Sequence, residues 1–255
     1  MPSWINLQAY AFDRPIGYKK LLVYPALMEK YFEFNVYVSS LLLEKNITVE
    51  GISKTYLEYL YLLNSRKDED LNLLKFDALL KLCLRKEELT IRYLSPDGKP
   101  IFIIEGEEYN SDDFDNLRLL ICEQNDVELP DESIQKEVRD AMEETKRLRA
   151  RMSGNVPPTL EDMIVCVIVS TNLSLEDIAK ISIRKFGQIL QRADSKLHYQ
   201  VYLTSAVSGF VEFGDKSILK HWMSGVEKNK WGDTMISVET MKGKITFDDK
   251  KKKII

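Results

Sequence analysis

His198 and His221 are the only histidines of the chain, and their imidazoles are the side chains best suited to metal ligation or proton transfer near neutral pH. In neighbouring helices they could meet a divalent cation together with Glu212 or Asp215. Two imidazoles are few for either task, and half-buried structural histidines are the commoner arrangement, so no metal site is expected. Asp112 with Asp113, and Glu107 with Glu108, place carboxylates side by side. Adjacent residues on a helix or strand point apart, so neither pair converges on one substrate. The cysteines Cys83, Cys122 and Cys166 stand far apart inside apolar runs, without zinc or disulfide-framework spacing. All three are expected to be small buried hydrophobes in a reducing compartment. The sequence has no G-x-x-x-x-G-K loop, no G-x-G-x-x-G after a strand and no H-E-x-x-H pair. The expectation is a protein that is not an enzyme, with no catalytic, cofactor-binding or metal-ligating residue.

The elements that would have to position a site are more informative. At 255 residues and 44% hydrophobic content the chain can bury one large core or two ordinary ones. A formal charge of −4 from nearly balanced acids and bases draws it neither to nucleic acid nor to an anionic membrane. No apolar run reaches the roughly 18 residues of a spanning helix. The first residues also lack the basic and apolar blocks of a secretory signal, so the protein is expected to be intracellular when made.

The expected fold class is mainly α with a small α+β unit: a helical N-terminal region, a β-hairpin plus helix, and a helical C-terminal domain. Residues 1–20 read as an extended segment because of Pro15 and Gly17. A buried helix is expected within Leu21–Glu44, whose aromatics suit core packing better than base stacking because few bases accompany them. Helices follow over Lys54–Asn64 and Leu71–Leu84. Leu89–Tyr93 and Pro100–Glu105 alternate around SPDGK, which predicts a hairpin, and Ser111 is expected to cap the next helix. The charged stretch from Asp126 reads as a solvated helix, its cluster Lys146, Arg147, Arg149 and Arg151 as a helix end. Thr159 with Asp162, and Ser174 with Asp177, have capping-box spacing; MIVCVIVS after the first could be helix or strand. Ser182 caps a long helix whose stripe Ile183, Phe186, Leu190, Ala193, Leu197, Val201 and Thr204 must be covered. The domain organisation expected is 1–152, a linker at 153–158, a C-terminal domain at 159–247, and a basic tail at 248–255.

The segments FDRPIGYKKLLVYP, YLEYLYLL, LLKLCL, FDNLRLLICEQNDVELPDE, SIRKFGQILQRADSKLHYQVYLTSAVSGFVEF and KHWM occur in this order. Together they resemble tail and baseplate proteins of large tailed bacteriophages, in particular the group related to the T4-type baseplate hub assembly protein and the tail assembly chaperones. That resemblance covers most of the chain. It implies a non-enzymatic structural or assembly role with no cofactor. The partners it implies are other phage tail or baseplate proteins, with the tape measure protein as one candidate, met by multiple copies around the tail axis. It places the protein in the host cytoplasm during assembly, and in the virion tail or baseplate if it is a permanent component. A transient chaperone absent from the mature virion is the alternative; a nucleic-acid-binding phage protein is a third reading. Docking is expected to fall on aromatics of irregular segments, namely Trp4, Phe12, Tyr18, His221, Trp222 and Trp231.

Overall fold

The computed structural model describes residues 6–47, 49–65, 72–132, 134, 136–152, 158–208 and 221–224. Residues up to Glu132 together with Pro158–Trp222 form one compact unit, while those within 133–157 and Met223 and Ser224 belong to a second. The described residues are mainly helical, with two small antiparallel sheets among them. The expected linker at 153–158 lies, apart from Pro158, outside the described residues, as does the tail at 248–255.

The N-terminal segment departs from the extended reading. Asn6 accepts hydrogen bonds from the backbone of Gln8 and Ala9, and this cap starts a short helix, α1 (Leu7–Ala11). The chain then forms a hairpin, β1 (Ile16–Tyr18) with β2 (Leu21–Val23), in which Ile16 pairs with Val23. The expected helix over Leu21–Glu44 is accordingly shorter. Leu21 and Val23 are buried while Leu22 is exposed, the two-residue period of a strand. Helix α2 spans only Tyr31–Tyr37, between 3-10 turns at Met28–Lys30 and Val38–Ser40. It buries Phe34 and leaves Phe32 and Val36 in solvent.

Then come α3 (Val49–Ile52), α4 (Tyr56–Ser65) and α5 (Asn72–Leu84), the last two close to expectation. The predicted hairpin is present as β3 (Ile91–Leu94) and β4 (Ile101–Ile104), with Tyr93 opposite Phe102. A third strand, β5 (Glu107–Tyr109), extends it through a two-residue turn in which Glu105 and Gly106 both take positive φ, at 52° and 85°. Helix α6 (Ser111–Gln124) starts one residue earlier than expected, since Asn110 caps it and Asp113 closes the capping box. Phe76, Phe102, Tyr109 and Phe114 meet in the core between α5, the sheet and α6, with Tyr109 stacked on Phe102 at 5.3 Å. Cys83 and Cys122 are buried with them, and burial pushes both thiols up to about 12. The third cysteine corrects the expectation, because Cys166 is exposed.

Helix α7 (Lys136–Met152) carries the charged sequence of the second unit. Back in the first unit, the boxes at Thr159 and Ser174 both form, and they open α8 (Leu160–Ser170) and α9 (Leu175–Lys180). The capped start settles MIVCVIVS as helix. Ser182 then accepts the Lys185 amide at 3.0 Å and opens α10 (Ile183–Val207), a helix of 25 residues.

Segments at opposite ends of the sequence complete one another inside the first unit. Leu27 bridges Ser182, the Met28 amide donates to the Ile181 carbonyl at 2.9 Å, and the Ile183 amide donates to Ala26 at 2.9 Å. Met28 consequently shares a second apolar cluster with Val167, Ile178 and Phe186.

Candidate functional site

At the start of α10 the polar groups are spent on structure. Arg184 is 3% exposed; its guanidinium donates to the Asp13 carboxylate and the Tyr10 carbonyl and lies 3.8 Å from the centre of the Tyr10 ring. Ser182 donates to the other Asp13 oxygen at 2.8 Å while its own oxygen caps α10. Asp13 reaches both from a left-handed backbone, φ 53°. A buried charge of this kind is tolerated because it is paired and hydrogen-bonded. The carboxylate partner of Arg184 stands 171 residues away, and no local pattern in the sequence announces it.

Further along, α10 changes character. Its contributions to the second apolar cluster are Ile183, Phe186, Ile189 and Leu190, and they stop there. Roughly 25 Å of helix follows at 1.5 Å per residue. Over that length Leu197 is 60%, Val201 55%, Leu203 43% and Val207 79% exposed. The stripe predicted to be covered through Leu197 and Val201 is thus open beyond Leu190, a correction to the sequence reading. From Tyr199 to its end at Val207 the helix carries no charged residue. Helix α8, packed on α10, exposes Val165, Cys166 and Val169 on its outer side. Water therefore meets large apolar side chains on α10 beyond Leu190 and on the outer side of α8, exposure of the kind that marks interaction sites.

The aromatics expected at an interface are distributed differently. Trp4 and Trp231 lie outside the described residues. Phe12 is 68% exposed at the end of α1, with the Arg14 guanidinium 5.8 Å from its ring centre. Tyr18 is held: its hydroxyl donates to Asp113 at 2.8 Å and accepts from Asn116 at 3.2 Å. Partial burial, then the bond to Asp113, push that phenol up to about 12. His221 and Trp222 return to α10, where His221 meets Tyr199 edge-on at 5.1 Å and the Trp222 carbonyl accepts from Arg192 at 2.6 Å. His221 is exposed and Trp222 half-buried. The exposed aliphatic run beside them was missed; its signal in sequence is the absence of charge from Tyr199 onward.

His198 and the two carboxylate pairs considered for chemistry are held by partners or face solvent. His198 lies 3.7 Å from Asp194 one turn earlier, both side chains 65% exposed. Among the described residues no group of three or more His, Cys, Asp or Glu side chains could hold a metal ion; Glu212 and Asp215 lie outside them. Asp113 accepts from Lys19 at 2.6 Å as well as from Tyr18 and the Asn110 amide. Desolvation works to raise its pKa, but these hydrogen bonds and the Lys19 charge outweigh it and hold the carboxyl below its ordinary value. Glu107 pairs with Lys20, and Glu108 faces solvent.

Residues 151–227 match the family model described as the YomV second domain, a phage-derived family. The match covers less than a third of the chain but spans α8 to α10 and the return of His221 and Trp222. It suggests a phage protein and carries no indication of the T4-type baseplate hub in particular. No curated protein and no solved structure matches the chain.

Proposed function

We propose that this phage-associated protein acts without catalysis, by docking onto other proteins of the phage tail or baseplate, either as a component of the particle or as a factor in its assembly. The observation that carries this reading is the uncovered end of α10, in the stretch that matches the phage-derived domain. A helix that carries no charge over its last nine residues is a poor solvated element and a good docking element. The charge balance of the chain supports a protein partner in preference to DNA, whose binding rests on basic surface.

The test uses Val201→Asp and Val207→Asp, separately, in the phage that carries the gene. Both side chains are exposed, 55% and 79%, so the purified variants are expected to melt within about 0.5 kcal/mol of the parent. Tail assembly in complementation is expected to fail. Assembly at parental levels by both variants would reject docking through α10. Mass spectrometry of purified particles then separates a resident component, present in them, from an assembly factor that leaves.

A further inference from the structure

Helix α7 turns an apolar stripe to solvent. Val138, Ala141, Thr145 and Leu148 follow at spacings of three, four and three residues, the a and d positions of a helix seam. Val138 is 47% and Leu148 48% exposed, and Ala141 and Thr145 are exposed between them. A shallow groove runs along Glu137, Val138, Ala141, Met142 and Thr145.

Charge along the same helix says what fits this stripe. Residues 136–144 hold two bases against four acids, a net of −2, whereas 145–152 hold four bases and no acid, a net of +4. We infer that α7 pairs antiparallel with α7 of a second copy of this chain. Antiparallel pairing lays the acidic half of each helix over the basic half of the other, while parallel pairing would stack like on like. The seam is self-complementary in this sense too. Val138 meets Leu148 of the second copy, and Ala141 meets Thr145 of the second copy, so two small residues let the backbones approach in the middle and larger ones fill the ends. A two-fold contact uses the same patch on both copies and closes at the dimer. At 17 residues the helix is about 25 Å long, which places the contact at the small, micromolar end of specific interfaces.

Sedimentation of the full chain from about 1 to 100 μM, the range in which contacts of this size form, is expected to show a monomer–dimer equilibrium that weakens with salt. Leu148→Asp is expected to raise the dissociation constant at least about tenfold without lowering the melting temperature, since the side chain is half in solvent. Val201→Asp on α10 is expected to leave the dimer unchanged. Orientation is read in a Cys166→Ser background: Ala141→Cys with Thr145→Cys is expected to form an intermolecular disulfide on mild oxidation, and each single variant far less of it. A chain that stays monomeric over the whole range overturns the inference. So does a dimer that survives Leu148→Asp or dissolves with Val201→Asp, and so do single cysteine variants that cross-link as fully as the double, which is the signature of a parallel pair.

Discussion

Cys83 and Cys122 are buried in the larger core, and desolvation holds both thiols near pKa 12, so almost no thiolate exists there at neutral pH. Cys166 stands on the outer side of α8 between Val165 and Val169. A thiol reagent at neutral pH is therefore expected to label one cysteine per chain rapidly and all three only after denaturation. Rapid labelling of two or three in the native protein would contradict the burial of the aromatic core around Phe76 and Phe102. The three residues look alike in sequence, each set in an apolar run. Hydrophobic neighbours show that a helix has an inner side, and an element as uniformly apolar as α8 does not reveal which side that is.

Helix α10 separates what a periodic pattern can tell from what it cannot. Its start at Ser182 is legible, as are the boxes at Thr159–Asp162 and Ser174–Asp177, because both partners of each cap lie within four residues. The stripe through Phe186, Leu190, Leu197 and Val201 is equally legible as one face of a helix. Its cover is not, since cover depends on where other segments end, and the second apolar cluster stops at Leu190. Phe186→Ala, at a site 4% exposed, is accordingly expected to cost about 3–5 kcal/mol in urea unfolding. Leu197→Ala, at a site 60% exposed, is expected to cost under about 0.5 kcal/mol. Equal losses for the two would mean that something covers the far half of α10 in the isolated protein. The strands β1 and β5 escaped the sequence reading for a related reason: each has three residues, too few for a two-residue period to stand out.

The division between an N-terminal and a C-terminal half, drawn on composition, does not register that Ala26, Leu27 and Met28 pair with Ile181, Ser182 and Ile183. A fragment of residues 151–227, the stretch that matches the phage-derived domain, lacks Met28 from its cluster and Asp13 and Tyr10 from Arg184. Losing that cover removes a few kcal/mol. The fragment is expected to melt about 10–20 °C below the full chain by circular dichroism, given the roughly 4–8 °C that each kcal/mol is worth at this size. A fragment that melts at the temperature of the full chain would show that the pairing adds little.

The clasp of Asp13 on Ser182 and Arg184 also sets a clock. Its partners are separated by 169 and 171 residues, so at about 5–20 residues per second the ribosome needs roughly 10–30 s after making Asp13 before Arg184 exists. The buried residues of the larger core end at Cys122 and exist well before that, with Ile183 of α10 joining their rim only later. Through this interval the β1–β2 hairpin can already dock through Ile16, Leu21 and Val23 on the larger core, but a nascent chain stalled before Ser182 presents the Met28 side chain and the carboxylate of Asp13 to whatever is at hand. Protease sensitivity near Asp13 should thus report, during synthesis, whether the last helix has arrived.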